Sequence, residues 1–188
     1  IQRYKQALKH NRVYVLPFAF QPKLHNPISE FERIDGLCFA GAYYNKYPER
    51  NKNLSDIVLE IGDEMSIDIY DRNYLVADPE YTFPEDFSKH IIGTLAFEEI
   101  NLAYKGYEIG LNLNTIKHSQ TMFARRVLEL IASNTLVFSN YSRGIQLFFG
   151  DITFNSDSGY QILKRYKDLD KHELNKIKLA CLRNVFYK

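Results

Sequence analysis

The sequence predicts an α/β fold in which a mostly parallel sheet is covered by helices on both faces. Short apolar segments typical of buried strands alternate with longer segments whose apolar residues have helical spacing. Polar stretches follow several of the strand-like segments, as is usual where strands lead into helices. Of the 188 residues, 45% are hydrophobic and 25% are charged, which is ordinary for a domain with a buried core. Together these observations predict a doubly wound sheet.

The predicted strands are short and mostly apolar. Residues 37–40, LCFA, form a buried run that leads into Gly41, and residues 66–70, SIDIY, alternate between apolar and polar side chains. Residues 13–20, VYVLPFAF, are rich in strand-forming residues but are interrupted by Pro17, which favours a strand or an extended entry segment. The remaining strands are predicted at residues 91–93, 108–113, 136–139 and 151–154.

The predicted helices fill the intervals between these strands. Pro48 suits the first position of a helix, and Gly62 is a natural stop for it. A polar, proline-containing stretch at residues 71–87 is predicted to be a loop. The other helices are predicted at residues 1–11, 96–105, 121–133, 145–149, 157–166 and 170–187. Strands and helices that alternate in this way predict a Rossmann-like, doubly wound domain.

Composition and end sequences restrict the class of protein. A formal net charge of +1 argues against a dedicated nucleic-acid-binding protein. No apolar run approaches the roughly 20 residues of a membrane span, and no signal peptide is recognisable, so we expect a cytoplasmic location. Cys38 and Cys181 are expected to be two buried thiols rather than a disulfide. The chain begins with Ile1 rather than Met, which indicates a piece of a longer polypeptide.

The common catalytic motifs are missing from the sequence. It has no GxSxG, HExxH, GxxxxGK[ST] or CxxC pattern, and its histidines show no metal-ligand spacing. The first strand leads into GAYYN rather than the glycine fingerprint GxGxxG of dinucleotide-binding domains. Asp68 and Asp71 do not have the spacing of a metal-binding DxD pair, so no metal cofactor is expected. A phosphate site must therefore be formed in another way.

Residues 106–144 offer such a site. They are predicted to form a strand, a polar loop, a helix, a second strand and a polar turn. The free amides of a helix that begins at Thr121 would suit a diphosphate. Glu129, eight residues farther along that helix, can accept two hydrogen bonds from the vicinal hydroxyls of a ribose. The alternative is that Glu129 is a solvated residue paired with Arg125 or Arg126.

The run RRVLELIASNTLVFSNYSRG, residues 125–144, resembles the C-terminal nucleotide-sugar-binding domain of GT-B glycosyltransferases. The resemblance is greatest to the group-1-like branch, which includes spore-maturation-type and cell-wall polymer enzymes. Arg126 and Glu129 match the family's Arg-x-x-Glu, and Asn134 replaces its usual glycine while tolerating left-handed geometry. FAGAYYNKYPER and IIGTLAFEEINLAYKGYEIGLNLN resemble the preceding parts of the family in order and spacing. The resemblance extends over residues 13–187.

The resemblance implies roles for particular residues, each with an alternative. Arg50 and Lys46 would neutralise the donor diphosphate, although a solvated basic loop would have the same sequence. Glu129 would hold the ribose. His118 and Arg125 would contact phosphate or sugar, unless they are a loop histidine and an exposed helix arginine. Further residues would border the base or meet the phosphates at the helix N-terminus: Gly93, Leu95, Ser119, Gln120, Thr121 and Met122.

The resemblance also implies a function. The chain would be one half of a GT-B fold, a glycosyltransferase domain that binds a nucleoside diphosphate sugar, most simply a UDP-sugar, for transfer to an acceptor that the sequence does not identify. Cell-wall or surface polysaccharide synthesis of bacterial type, at the inner face of the membrane, is the expected setting. Thr121 stands where many retaining members carry a first Glu, which leaves retention or inversion of configuration open.

The organisation expected from the resemblance has three parts. Residues 1–28 would connect to an N-terminal GT-B domain of the same polypeptide, which would supply the acceptor site and the catalytic base. Residues 29–169 would form the nucleotide-sugar-binding domain, and residues 170–188 a helix that returns toward the N-terminal domain. Without that domain the fragment would be inactive. Two other hypotheses remain: a non-catalytic Rossmann-like interaction module that has lost donor binding, and a different α/β ligand-binding protein.

Overall fold

The structure, a computed structural model, describes residues 2–14, 18–29 and 32–187. Its strands are β1 (Ile34–Gly41), β2 (Ile67–Asp71), β3 (Ile91–Gly93), β4 (Tyr107–Asn112), β5 (Leu136–Ser139) and β6 (Phe154–Asn155). They form a single six-stranded sheet in the order β3-β2-β1-β4-β5-β6, and every strand pair in it is parallel. The order changes direction between β1 and β4. In open parallel sheets, ligands bind at this switch point, outside the carboxyl ends of the strands.

Helices cover both faces of the sheet, which confirms the predicted fold class. They are α1 (Gln2–Leu8), α2 (Pro48–Gly62), α3 (Ile100–Gly106), α4 (Arg126–Ala132), α5 (Arg143–Phe149), α6 (Gly159–Lys167) and α7 (Lys171–Tyr187), with short 3-10 helices at Pro79–Tyr81, Glu85–His90 and Phe97–Glu99. Successive side chains of β1 point to opposite faces. Leu37 and Phe39 pack into the core formed by α2 and α6. Cys38 and Ala40 pack into a second core formed by α3, α4 and α5, to which α7 adds Cys181.

Several predicted boundaries need correction. The helix predicted at residues 121–133 begins only at Arg126. The strand predicted at residues 151–154 is confined to Phe154–Asn155, because Ile152 and Thr153 form a turn that bonds back to the carbonyl of Phe149. The loop predicted at residues 71–87 contains a complete 3-10 helix and the start of a second. Of the extended segment at residues 13–20, residues 15–17 lie outside the described chain, and the others are not part of a strand.

Two smaller predictions are confirmed. Cys38 and Cys181 are free, buried thiols, and burial raises the pKa of each to about 12. Asn134, at the end of α4, has a φ of 59°, the left-handed geometry expected where the family has glycine.

No helix in the described part of the chain is long and apolar enough to cross a membrane.

Arg33 lies at the amino ends of the strands, on the side of the sheet opposite the crevice-forming carboxyl ends, and joins the starts of β4 and β5. Its guanidinium donates to the carbonyls of Tyr107 at 2.9 Å and Ser133 at 2.7 Å, and to the hydroxyl of Thr135 at 3.0 Å. Arg33→Ala is expected to lower the free energy of unfolding by about 2 kcal/mol, because two carbonyls lose a charged donor. Urea denaturation measures this, with the exposed Arg3→Ala as the control. An equal, small effect of both substitutions would contradict the assignment.

Candidate functional site

A crevice of about 500 Å³ opens at the carboxyl ends of β1, β2 and β4, at the switch point of the sheet. Ala40 and Gly41 of β1 and Tyr70 of β2 form its floor, and the first turn of α4 forms one wall. The other lining residues are Phe18, Tyr44, Arg50, Arg72, Leu95, Phe97, Ile100, Tyr104, Leu113, Thr115, Ala124, Arg125, Arg126 and Glu129. Four arginines therefore line the crevice together with a single carboxylate.

Arg50, on the first turn of α2, is the most deeply buried of these arginines, with 7% of its surface exposed. Its Nη2 donates to the carbonyl of Ala42 at 3.1 Å, but its buried Nη1 has no hydrogen-bond partner within the described chain. Burial, and secondarily the charge of Arg126, lowers the pKa of Arg50 to about 10. A buried cation with a free donor is costly unless an anion pairs with it. Arg50 is therefore the strongest candidate in the crevice for binding an anion.

Two further arginines, Arg72 and Arg126, reach the same crevice. The Arg72 guanidinium donates to the Tyr44 hydroxyl and lies 5.9 Å from the centre of that ring, while Arg50 lies 5.4 Å from it. Arg126 lies 5.1 Å from the ring of Phe39, and its Nε donates to the Tyr104 hydroxyl at 3.4 Å. Within the described chain, Arg50, Arg72 and Arg126 form no ion pair with a carboxylate. The crevice therefore has a local positive charge, unlike the nearly neutral chain.

Glu129 is the acidic group of the crevice and is 9% exposed. Its Oε1 accepts from Arg125 Nε at 2.7 Å and lies 4.0 Å from His25 Nε2. The predicted position of Glu129, two turns into a helix that begins at Thr121, is wrong, because the residue lies in the first turn of α4. The alternative pairing with Arg125 is present, yet Glu129 also lines the crevice. The ion pair and the predicted contact with a ligand therefore involve the same carboxylate.

The prediction that Ser119, Gln120, Thr121 and Met122 surround a helix N-terminus is also wrong. These residues belong to a loop, in which the Ser119 hydroxyl accepts from the amides of Thr121 at 3.3 Å and Met122 at 3.1 Å. None of the four lines the crevice, and neither does the exposed His118. The loop instead packs on α5, where a Cβ on Gly144 would come within 2.5 Å of the Met122 carbonyl oxygen. The proposed contacts of His118, Ser119, Gln120, Thr121 and Met122 with a ligand stay predictions.

The other predicted residues divide between the crevice and its surroundings. Leu95 lines the crevice, and its contact with a base stays a prediction. Gly93 ends the edge strand β3 with a φ of 131° and is not part of the lining. Lys46 is exposed outside the crevice, with its ammonium 5.3 Å from the centre of the Tyr47 ring. The structure thus brings together Arg50, Leu95, Arg125 and Glu129.

Arg72 and Arg126 were not predicted as site residues. The only signal for Arg72 in the sequence is its position directly after a strand, where many side chains are solvated. Arg126 lies in the motif that carries the family resemblance, but the sequence does not show that it faces Arg50. Both become recognisable only when the ends of β1 and β2 and the start of α4 are placed side by side.

A buried polar network supports the crevice from below. Asn140, fully buried after β5, accepts from the Asn114 amide at 2.8 Å and donates to the Asn114 carbonyl at 3.0 Å. Asn114 in turn accepts from the Ala124 amide at 2.9 Å. These bonds join the two ends of the loop that contributes Thr115 and Ala124 to the lining.

Other parts of the described chain are weaker candidates for a functional site than the crevice. A groove of about 580 Å³ lies between α5 and α7, away from the switch point, with Leu147, Phe148, Leu179, Lys176 and Arg183 among its lining. Among the described residues, this groove contains no unpartnered buried charge comparable to Arg50. Within the described ranges, no group of three or more His, Cys, Asp or Glu side chains could hold a metal ion. That the ligand binds without a metal stays a prediction.

Comparison with known proteins gives a family and a fold. A family model described as "Glycosyl transferase-like" matches residues 61–185, about two-thirds of the chain. No curated protein matches the chain significantly in sequence. Sucrose-phosphate synthase from Thermosynechococcus elongatus is similar in structure, with a TM-score of 0.65 and 10% identity over 98% of this chain and 51% of that one. This chain thus spans about half the length of that enzyme.

Two other solved structures are also similar. The C-terminal domain of a glycosyl transferase group 1 family protein, LpcC, from Francisella tularensis has a TM-score of 0.54 and 14% identity over 90% of this chain and 98% of that domain. The pneumococcal O-GlcNAc transferase GtfA, solved with UDP and GlcNAc, has a TM-score of 0.55 and 14% identity over 98% of this chain and 40% of that one. At these identities the likeness establishes the fold, which is half of a GT-B structure.

Proposed function

The chain belongs to the glycosyl transferase-like family, and we propose that it is the donor-binding half of a glycosyltransferase that uses a nucleoside diphosphate sugar. The observation that carries this proposal is the buried Nη1 of Arg50, which has no partner among the described residues and lies in a crevice that Arg72 and Arg126 also line. The diphosphate of a sugar donor has two negative charges and many acceptor oxygens, which suits these guanidinium groups. Glu129, in the same first turn of α4 as Arg126, would accept hydrogen bonds from the ribose hydroxyls.

The arginines would act on the leaving group of the reaction. In glycosyl transfer, the bond between the anomeric carbon and the phosphate oxygen breaks, and a bond from that carbon to an acceptor oxygen forms. Negative charge accumulates on the departing diphosphate, and fixed cations stabilise it. The proton of the acceptor hydroxyl would pass to a base in the acceptor-binding half, which we propose is an N-terminal domain of the same polypeptide.

We further propose a uracil base and an acceptor in surface polysaccharide synthesis. Leu95, Phe97 and Ile100 give the crevice an apolar end suited to a flat base. GtfA, which has a related fold, was solved with UDP, and this supports UDP as the first nucleotide to test. Action at the inner face of a membrane remains part of the proposal.

Isothermal titration calorimetry with UDP, GDP, UDP-N-acetylglucosamine and GDP-mannose tests the proposal. We expect saturable binding of at least one of these ligands. At about 100 times its dissociation constant, the ligand would add about 2.7 kcal/mol to the apparent free energy of unfolding. If neither calorimetry nor thermal denaturation responds to any of them, the chain is better described as a non-catalytic interaction module.

Glu129→Gln is expected to weaken UDP binding about tenfold, because a neutral amide accepts weaker hydrogen bonds from the ribose than a carboxylate does. Binding of inorganic pyrophosphate should be unchanged or tighter, since Arg125 loses its carboxylate partner. Calorimetry with both ligands measures the difference, and the exposed Glu85→Gln is the matched control. Equal weakening of UDP and pyrophosphate would show that Glu129 acts only through the arginines.

A further inference from the structure

The segment ahead of β1 packs against the crevice, although it lies outside the residues matched by the family model. Phe18 lines the crevice and meets the Phe123 ring edge-on at 6.4 Å. Phe20 packs on Phe186 of α7, with 5.1 Å between ring centres. The Asn26 side chain accepts from Lys105 Nζ at 3.0 Å. The segment is therefore attached to the core on both sides of His25.

His25 is buried directly behind Glu129. It is 8% exposed, its ring centre lies 5.9 Å from that of Tyr104, and its Nε2 lies 4.0 Å from Glu129 Oε1. Its Nδ1 is buried and has no hydrogen-bond partner in the described ranges. Burial lowers the pKa of His25, Glu129 opposes this, and the cations Arg125 and Lys105 reinforce it. Nε2 is the ring nitrogen nearest to Glu129, and at 4.0 Å from Oε1 its interaction with the carboxylate is electrostatic rather than a hydrogen bond.

The two neighbours of Glu129 Oε1 differ in how firmly they are held. The Arg125 side chain is 53% exposed and lies on the crevice side, so an incoming ligand can displace it. His25 is enclosed, with 8% of its surface exposed, so an incoming ligand cannot reach it as it can reach Arg125. A buried carboxylate that loses one polar partner needs another to keep its charge and orientation. A ribose diol requires that orientation, because both of its hydroxyls must meet carboxylate oxygens.

We propose that His25 is a positioning residue that holds Glu129 in the orientation required for ribose recognition. This inference rests on the proposed function and adds a residue from outside the matched part of the family. The proposed role predicts that the preference for a ribose over a deoxyribose depends on His25. A merely structural role would alter the affinity for both nucleotides equally, so the ratio of the two affinities is the decisive readout.

The experiment compares UDP with 2′-deoxyuridine diphosphate by calorimetry on the full chain. We expect the wild-type protein to prefer UDP about tenfold, as one charged hydrogen bond allows. His25→Phe keeps a ring and removes both nitrogens, and it should reduce the preference to about twofold or less. His25→Gln retains an N–H donor and should restore most of the preference. His172→Asn, an exposed histidine on α7, is the control that should leave the preference unchanged.

The outcomes separate this inference from the function on which it rests. Failure of the wild-type protein to bind either nucleotide would overturn the proposed uracil base and the role of His25, and failure to bind GDP as well would overturn the proposed function. Binding with a UDP preference that His25→Phe leaves intact would overturn the role of His25 alone. In Glu129→Gln, adding His25→Phe should change the ratio by less than about twofold, because coupled residues are not additive. Independent, multiplicative effects would contradict the inference.

Discussion

Arg50→Met is expected to weaken binding of UDP about 100-fold without lowering the free energy of unfolding. The two effects differ because the Arg50 guanidinium is buried and its Nη1 has no partner in the part of the chain that the structure describes. Burial and the nearby charge of Arg126 both disfavour its charged form. Removing an uncompensated buried cation costs little stability or increases it. Loss of a charge-assisted contact to a phosphate costs roughly 2–3 kcal/mol of binding free energy. Calorimetry with UDP and urea denaturation measure the two quantities.

A matched variant and a second ligand sharpen this prediction. Arg183→Met removes an exposed arginine of α7 far from the switch point and should leave UDP affinity unchanged. Binding of inorganic pyrophosphate should weaken as much as that of UDP in Arg50→Met, because the missing contact is to phosphate. If Arg50→Met loses more than about 2 kcal/mol of stability and keeps its affinity, then Arg50 is structural, held by its bond to Ala42.

The fold was largely predictable because its signals are local. Pro48 and Gly62 bound α2 in the structure as in the prediction, since a proline at the first turn and a glycine at the last are direct consequences of backbone chemistry. β3 and β5 have the predicted bounds. These strands are short apolar runs between polar segments, and no distant contact is needed to recognise them.

The start of α4 could not be predicted from local signals. The amides of Thr121 and Met122 bond to the Ser119 hydroxyl, and that of Ala124 bonds to the side chain of Asn114. Such bonds compete with helix formation. Asn114 is held in turn by Asn140, which lies 26 positions farther along the chain. Only the complete set of these hydrogen bonds in the structure shows that α4 begins at Arg126 rather than at Thr121.

Residues of the candidate site were predictable where the sequence around one residue is distinctive by itself. They were not predictable where the role of a residue depends on its distance from residues of other elements. Glu129 is a lone acid in an apolar helix, and Arg50 matches a family position, so both were found from the sequence. Arg72 and His25 lie in segments that look like ordinary polar loops. Their significance depends on distances to Tyr44 and Glu129, which come from other elements.

Asn140→Ala is expected to lower the free energy of unfolding by about 3–5 kcal/mol, a large loss for a single polar substitution. The Asn140 side chain satisfies both the amide and the carbonyl of Asn114, which is 3% exposed, and it also donates to Asn53 at 3.3 Å. Alanine would leave two buried backbone groups unpartnered, and each costs about 1–3 kcal/mol. Urea denaturation measures the loss.

Two comparisons test the cause of that loss. Asn155→Ala removes one bond, to the Thr153 hydroxyl, from a partly exposed side chain, and should cost less than about 1 kcal/mol. Asn140→Asp keeps the shape but has no N–H for the Asn114 carbonyl, so it should be nearly as destabilising as alanine. Because Asn114 also holds the amide of Ala124, both Asn140 variants should weaken UDP binding at temperatures where they remain folded. A folded Asn140→Ala protein with unchanged UDP affinity would show that the network supports the sheet and leaves the crevice unaffected.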